Sequence, residues 1–505
     1  MRAAARKTRG DCLTPVADAR VMDPARSKPG RTGMRMQTTG GRSAQRTRGR
    51  LLGRVVVAAT LAPLSAIAVL LAWGAPVSAS PLPSAPSSVS PSGSSTAPST
   101  THPCSVGAPG LGFFNGAVCI GTTQLPDGRF QMTDPARPNL SCGSLQQDPL
   151  EPFTQSSDSW GNGQPADLTT ACVDAMYAAS EMWNMLGDWL GRTGMDGQGH
   201  AAFIGVGYHL AEARFRPGGP LVQIGPVPAP TSGSGLDPEE PAPTTALDPQ
   251  GRQYSSMDIV AHEFGHMVFL TTPGGTDSAE AGPLDEGTGD IMAQLTVAFA
   301  GNPKVPLTYT MGSQIGPPLI RIMYQPSLCG PTSTICPDDV VHPDCYSPEI
   351  FTTPNLGEHA AAGPLNHWFY LLAEGSNPAG FPPSPTCDGS TLTGLGIKAA
   401  GQIWYQALLL KTPTWTYRDA RSATLAAAKQ LFPGGCTVFD RVKAAWNAVS
   451  VPALPDEPTC GAPTPTPAPA ATPTPVPTPI PAQPGAFPSQ PGLPKTGARP
   501  FQAHP

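Results

Sequence analysis

Charge is scarce in this chain: only 13% of its 505 residues are Asp, Glu, Lys or Arg. What there is falls unevenly. Residues 1–54 carry 14 Lys/Arg against 3 Asp/Glu, a net of +11, and the remaining residues stand at −16. An acidic body without a basic stripe argues against a nucleic-acid partner. Long apolar runs are missing too, apart from residues 55–73, which excludes a multi-spanning membrane protein. No C-x-x-C pair occurs, which argues against a cysteine-based zinc ribbon. No internal repeat is visible, and histidine is rare, with 9 in the whole chain.

Proline and glycine are abundant instead, at 64 and 55 residues, and much of the proline sits in two tails. The sequence reads as a basic, disordered leader over 1–50, then an Arg-rich edge and an apolar stretch with small residues at Val77-Ser78-Ala79. Residues 51–79 have the parts of an export signal ending at Ala79, and equally the length of an uncleaved membrane anchor. Initiation at Met34 or Met36 would leave that segment whole. The Ser/Pro-rich residues 80–103 cannot bury a core and read as a linker. The Pro/Thr-rich residues 453–505 read as an extended stalk. Of 11 Cys, 10 follow the apolar stretch, an even number that allows five disulfides in an oxidising compartment. Cys104–Cys119, Cys142–Cys172 and Cys436–Cys460 are pairs of short separation, but connectivity is not readable from spacing.

The folded body is then 104–452. Residues 113–122 and 202–206 read as strands, and 174–190 carries helical apolar spacing. Ser256 can cap a helix with Met257, Val260, Phe264 and Met267 on its apolar side, and Pro283 precedes another. Further helices are expected at 361–374, 395–410, 417–431 and 438–449. The fold class is α+β, a β-rich lobe over 104–273 followed by a helical lobe over 274–452.

One motif carries chemistry: His262-Glu263-Phe264-Gly265-His266. On a helix, residues four apart lie about 40° apart around the axis, one turn displaced, so both imidazoles can grip one ion. Glu263 lies on the adjacent flank, within reach of a water on that ion. A third ligand must come from elsewhere. Glu286, in Leu284-Asp285-Glu286-Gly287-Thr288-Gly289-Asp290, is a candidate, and so is a plain capping role for it. Asp290, one turn on, can accept a hydrogen bond from a ligating histidine and fix its tautomer.

With Glu286 and Asp290 following H-E-x-x-H at these intervals, the chain resembles the thermolysin family of zinc neutral peptidases. The likeness continues in Asn366-His367-Trp368-Phe369-Tyr370-Leu371-Leu372-Ala373-Glu374-Gly375, in 396–405, in 417–424, and in the Gly191-Arg192-Thr193-Gly194-Met195-Asp196-Gly197-Gln198-Gly199 end of an N-terminal helix. It implies a two-lobed fold with the motif helix between the lobes. It also implies zinc held by His262, His266 and Glu286, with Glu263 as general base, Asp290 behind a ligand, His359 at the oxyanion and Arg321 on a substrate carbonyl.

The chain departs from the family in four places. Asp277 stands where the family has its second oxyanion donor, a tyrosine. Tyr208-His209-Leu210-Ala211-Glu212-Ala213 lacks the substrate-holding asparagine, and Pro354-Asn355 replaces a carboxylate that orients the histidine matched by His359. Asp258 matches one calcium ligand, but Val297 and its neighbours stand where the other acidic ligands are. One carboxylate does not hold a calcium pair, so zinc is the expected cofactor and calcium stays open. Leu493-Pro494-Lys495-Thr496-Gly497 resembles the L-P-x-T-G signal of cell-wall anchoring, without the usual apolar span after it.

The expectation is an exported, monomeric zinc endopeptidase acting on polypeptides, secreted or attached to the cell surface. The rival is an extracellular binding or adhesion module that keeps zinc only for structure.

Overall fold

The computed structural model describes residues 104, 107–219, 221–229 and 247–461. The leader, the signal or anchor at 51–79, the linker residues up to 103, and the stalk beyond 461 with its L-P-x-T-G-like motif lie outside the described residues.

The first part of the body is mainly strands. These are β1 (Ala108–Leu111), β2 (Ala117–Ile120), β3 (Thr123–Gln124), β4 (Phe130–Gln131), β5 (Ser141–Ser144) and β6 (Thr154–Gln155). Helix α1 (Leu168–Leu190) comes next, then β7 (Phe203–Val206), β8 (Ala213–Arg216) and β9 (Leu221–Ile224). One sheet has the order β5-β7-β9-β8, parallel except for β8, which lies antiparallel to β9 at the edge.

A single strand over 113–122 does not form. The chain turns instead between β1 and β2, with Gly112 N–H donating to Gly116 O at 2.8 Å. The reason is Asp174. Its buried carboxylate accepts from the backbone N–H groups of Phe113, Phe114 and Asn115 at 2.8–3.2 Å, so these donors are withdrawn from any sheet. Helix α1 also begins earlier than its apolar spacing indicates. Asp167 caps it by accepting from Thr169 N and Thr170 N, a polar start that an apolar pattern does not register. Gly191 ends it at φ 68°, a left-handed turn that favours glycine.

From residue 257 the chain is mainly helical: α2 (Met257–Thr271), α3 (Ala281–Ala300), the two-residue hairpin strands β10 (Thr310–Met311) and β11 (Arg321–Ile322), then α4 (Gly357–Ala361), α5 (Gly363–Ala373), α6 (Ile397–Leu408), α7 (Tyr417–Leu431) and α8 (Thr437–Ala448). The class is thus α+β, sheet-rich first and helical after. Ser256 occupies the N-cap of α2 without a side-chain cap bond, because its hydroxyl turns to Asp258 at 2.6 Å. Pro283 falls inside the first turn of α3 rather than before it, where a missing N–H costs nothing. α7 starts with a reciprocal capping box between Thr416 and Asp419.

α2 is the central element. It packs along α3, and also on α1 and edge strand β8. Trp368 of α5 stacks on Trp446 of α8 at 4.4 Å and touches Trp404 of α6, which ties the helical part together. Five disulfides are present among the described residues: Cys104–Cys119, Cys142–Cys172, Cys329–Cys336, Cys345–Cys387 and Cys436–Cys460. No helix among the described residues is long and apolar enough to cross a membrane.

Candidate metal centre

α2 is buried from Met257 to Phe269, with His262 and Glu263 wholly inaccessible. Polar groups so placed need partners. Helix α3 supplies those of the two histidines because it comes unusually close. A Cβ on Gly265 would fall 2.7 Å from Gly289 Cα, and one on Gly289 would fall 2.5 Å from His262 Nδ1. Two glycines facing each other let the helices meet where larger residues would hold them apart.

Each imidazole is then fixed by a carboxylate of α3. His262 Nδ1 lies 2.9 Å from Asp290 Oδ1, and His266 Nδ1 lies 2.9 Å from Asp285 Oδ1. A carboxylate only accepts, so both Nδ1 atoms are donors and both Nε2 atoms turn inward. These are 3.1 Å apart. Glu286 meets them, with 3.3 Å from Oε2 to His262 Nε2 and 3.8 Å from Oε1 to His266 Nε2. The three residues are buried, and their candidate ligand atoms lie within 4.8 Å of one another.

This donor set fits zinc. Ligand atoms about 2.0–2.1 Å from a tetrahedral ion sit roughly 3.3 Å apart, close to the separations observed. Two facing nitrogens and a carboxylate also call for positive charge between them. The titration of His262 has the same cause: burial alone would pull it down, yet its hydrogen bonds to Asp290 and Glu286 carry it up to about 9. The carboxylates that favour a proton there favour a metal cation in its place.

Behind the ligands stands Asp290, wholly buried. Arg321 donates to it through Nε at 2.9 Å and Nη2 at 2.8 Å, and Asn366 Nδ2 donates at 2.7 Å. Burial opposes ionisation of Asp290, but Arg321 and His262 hold its carboxyl far below the ordinary range. Arg321, matched to a carbonyl-binding arginine, is therefore a deeply buried partner of Asp290 in this structure. His359, in the middle of short α4, brings Nε2 to 3.1 Å from Glu286 Oε2. All seven candidates, His262, Glu263, His266, Glu286, Asp290, Arg321 and His359, thus belong to this helix pair or to side chains bonded to it.

Two partners lack an assigned role in the sequence reading: Asp285 and Asn366. Asp285 could have been found from its place beside Glu286, where a second carboxylate on the same turn can reach the second histidine. Asn366 lies 76 residues from Asp290 in sequence, and no local pattern links the two. The substituted positions are also visible. Asp277 is exposed, with its N–H bonded to Pro413 O at 3.2 Å. Asp258 spends Oδ1 on Ser256 Oγ and Ile259 N, and Oδ2 on Gly312 N, so it ties the start of α2 to the β10–β11 hairpin.

The sequence matches two family descriptions, the catalytic domain of thermolysin metallopeptidase over residues 108–217 and the alpha-helical domain of the same peptidase over 277–451. Helix α2 falls between the two matches. Among curated proteins, a transglutaminase-activating metalloprotease of Streptomyces mobaraensis is 34% identical over 354 residues, which is 67% of this chain and 41% of that protein. A thermolysin of Alicyclobacillus acidocaldarius is 29% identical over 304 residues, covering 58% and 48%. A bacillolysin of Bacillus caldolyticus has the same identity and coverage. The chain therefore spans somewhat under half the length of these relatives. Among solved structures, a protealysin precursor from Serratia proteamaculans superposes with a TM-score of 0.44 at 17% identity, over 64% of this chain and 90% of that one.

Proposed function

Because the chain belongs to the thermolysin metallopeptidase family, we propose that it is an exported zinc endopeptidase that cleaves polypeptides. The observation that carries this reading is the convergence of His262, His266 and Glu286 within 4.8 Å, with both imidazoles turned Nε2-inward by Asp290 and Asp285.

His262, His266 and Glu286 would hold the zinc. When bound, zinc lowers the pKa of a coordinated water and polarises the scissile carbonyl. Glu263 follows the first ligand on α2 and is fully buried, so its carboxylate acts out of bulk solvent. It takes the proton of the attacking water and delivers it to the nitrogen of the leaving amine. His359, beside Glu286, steadies the oxygen on which charge develops. Arg321 keeps Asp290 ionised and in place, and a carbonyl of the substrate is its second task. With an exposed aspartate at 277 instead of a tyrosine, His359 carries more of the oxyanion stabilisation. One lost donor typically costs about 10²–10³ in rate, which leaves an enzyme.

Export is supported by the five disulfides, which belong to an oxidising compartment, and by the signal-like residues 51–79. Attachment to the cell surface rests on the L-P-x-T-G-like motif, or on residues 51–79 staying uncleaved as an anchor.

Glu263→Gln tests the assignment. Full-length protein carrying this change is expected to keep one zinc per chain by elemental analysis and to lose chelator-sensitive casein hydrolysis. Unchanged hydrolysis would remove Glu263 from the mechanism. Wild-type protein with one tightly held zinc and no cleavage of any tested peptide would favour the binding-module reading.

A further inference from the structure

Lys411 lies beyond the end of α6 and on no element that carries a ligand, yet it is only 5% exposed. A buried ammonium is costly unless something compensates it. Its Nζ donates to the carbonyl oxygen of Phe269 at 2.8 Å and stands 3.8 Å from the centre of the Phe269 ring. Phe269 is in the last turn of α2, where carbonyls lack partners within the helix and the negative end of its dipole lies. The ammonium therefore closes the end of the helix that bears both histidines.

It also acts on α3. Burial pushes Lys411 down to about 8, and the negative charge of Asp285 works the other way. Asp285 is the carboxylate that orients His266. The residues around Lys411 add a third tie. Gly275 N–H donates to Thr412 O, and Asp277 N–H to Pro413 O, each at 3.2 Å. Gly274, at φ +91°, approaches Lys411 so closely that a Cβ would fall 2.5 Å from its carbonyl oxygen. The connection from α2 to α3 is thus clamped against the connection from α6 to α7.

We propose that Lys411 is a positioning residue of the metal centre, its ammonium fastening the end of α2 so that His266 presents Nε2 to the ion. The proposal rests on the zinc reading above. An apolar chain of similar length at 411 removes an ammonium that is itself costly to bury. It also takes the charged donor from the Phe269 carbonyl, which keeps only the neutral hydroxyl of Thr272 at 2.7 Å.

Full-length Lys411→Met and Lys411→Arg would be compared with wild type in two measurements: zinc affinity by competition with a chromophoric chelator, and the thermal midpoint of the metal-free protein. Lys411→Met is expected to bind zinc on the order of 10–100 times more weakly, the usual effect of losing a partner behind a ligand, with a smaller loss in metal-free stability. Lys411→Arg keeps the charge and is expected to recover part of the affinity. Wild-type zinc affinity in Lys411→Met overturns the proposal. So does a loss of affinity accompanied by an equal loss of metal-free stability in both variants, which marks packing alone. A wild-type chain that binds no zinc overturns the metal reading itself.

Discussion

At the scale of single residues, the centre is organised by Asp290 more than by the ligands. It receives four donors from three segments of chain: His262 of α2, Arg321 of β11, twice, and Asn366 of α5. A buried ion pair contributes little net stability, but removing one partner leaves an uncompensated charge at a cost of about 3–5 kcal/mol. Asp290→Asn is therefore expected to lower the urea-unfolding free energy of the metal-free protein by about 3–5 kcal/mol. It should also weaken zinc binding by about 10–100-fold. The double change Asp290→Leu/Arg321→Met leaves no lone charge. It should recover most of the stability and none of the zinc affinity. If affinity returned with stability, Asp290 would be a packing residue and not what orients His262.

At the scale of elements, the decisive feature is the crossing of α2 and α3 at Gly265 and Gly289. Alanine is the better helix former by about 1 kcal/mol, so Gly289→Ala favours the helix taken alone. Its Cβ, however, would enter the space of the His262 ring, 2.5 Å from Nδ1 and 2.6 Å from Cε1. Gly289→Ala is expected to abolish zinc binding, as read by calorimetry, while far-UV circular dichroism stays helical. Wild-type affinity in this variant would show that α3 can retreat without losing Glu286. The same crossing explains what the sequence did and did not reveal. His262 and His266 were legible because their spacing states metal chemistry directly, Glu286 only through the likeness to a peptidase family, and the long apolar helices because burial imposes a period. The role of Gly289 was not, since a glycine inside a helical pattern reads only as a weak point. The turn at 112–116 was hidden likewise, because three N–H groups leave the strand for the carboxylate of Asp174, some sixty residues further along the chain.

At the scale of the whole chain, the question is how the residues that follow α8 are joined to the helical part. Residues 453–461 are fastened to α7 and α8 at several points. Cys460 is bonded to Cys436. Arg418 donates to Ala453 O at 2.7 Å, and Lys429 donates to Thr459 O at 2.8 Å. At the centre is Glu457, paired with Arg421 and, at 2.9 Å, with Lys443. Arg421 also reaches Asn447 and Val451 O, so one guanidinium joins α7, α8 and the chain beyond them. Burial alone would raise the Glu457 carboxyl, but Arg421 and Lys443 outweigh it and hold it below its ordinary value of 4.5. A carboxylate with a depressed folded-state pKa stabilises fully above the ordinary value, and the contribution is lost as pH falls through the lower, folded one. Amide hydrogen exchange in 453–461, corrected for the intrinsic pH dependence, should therefore show protection that holds from neutral pH down to about 4.5 and falls below it. Glu457→Gln should exchange faster at neutral pH and lose the acid step, with the Cys436–Cys460 bond intact in both proteins. Equal protection in the two proteins at neutral pH would mean that the disulfide alone secures the junction.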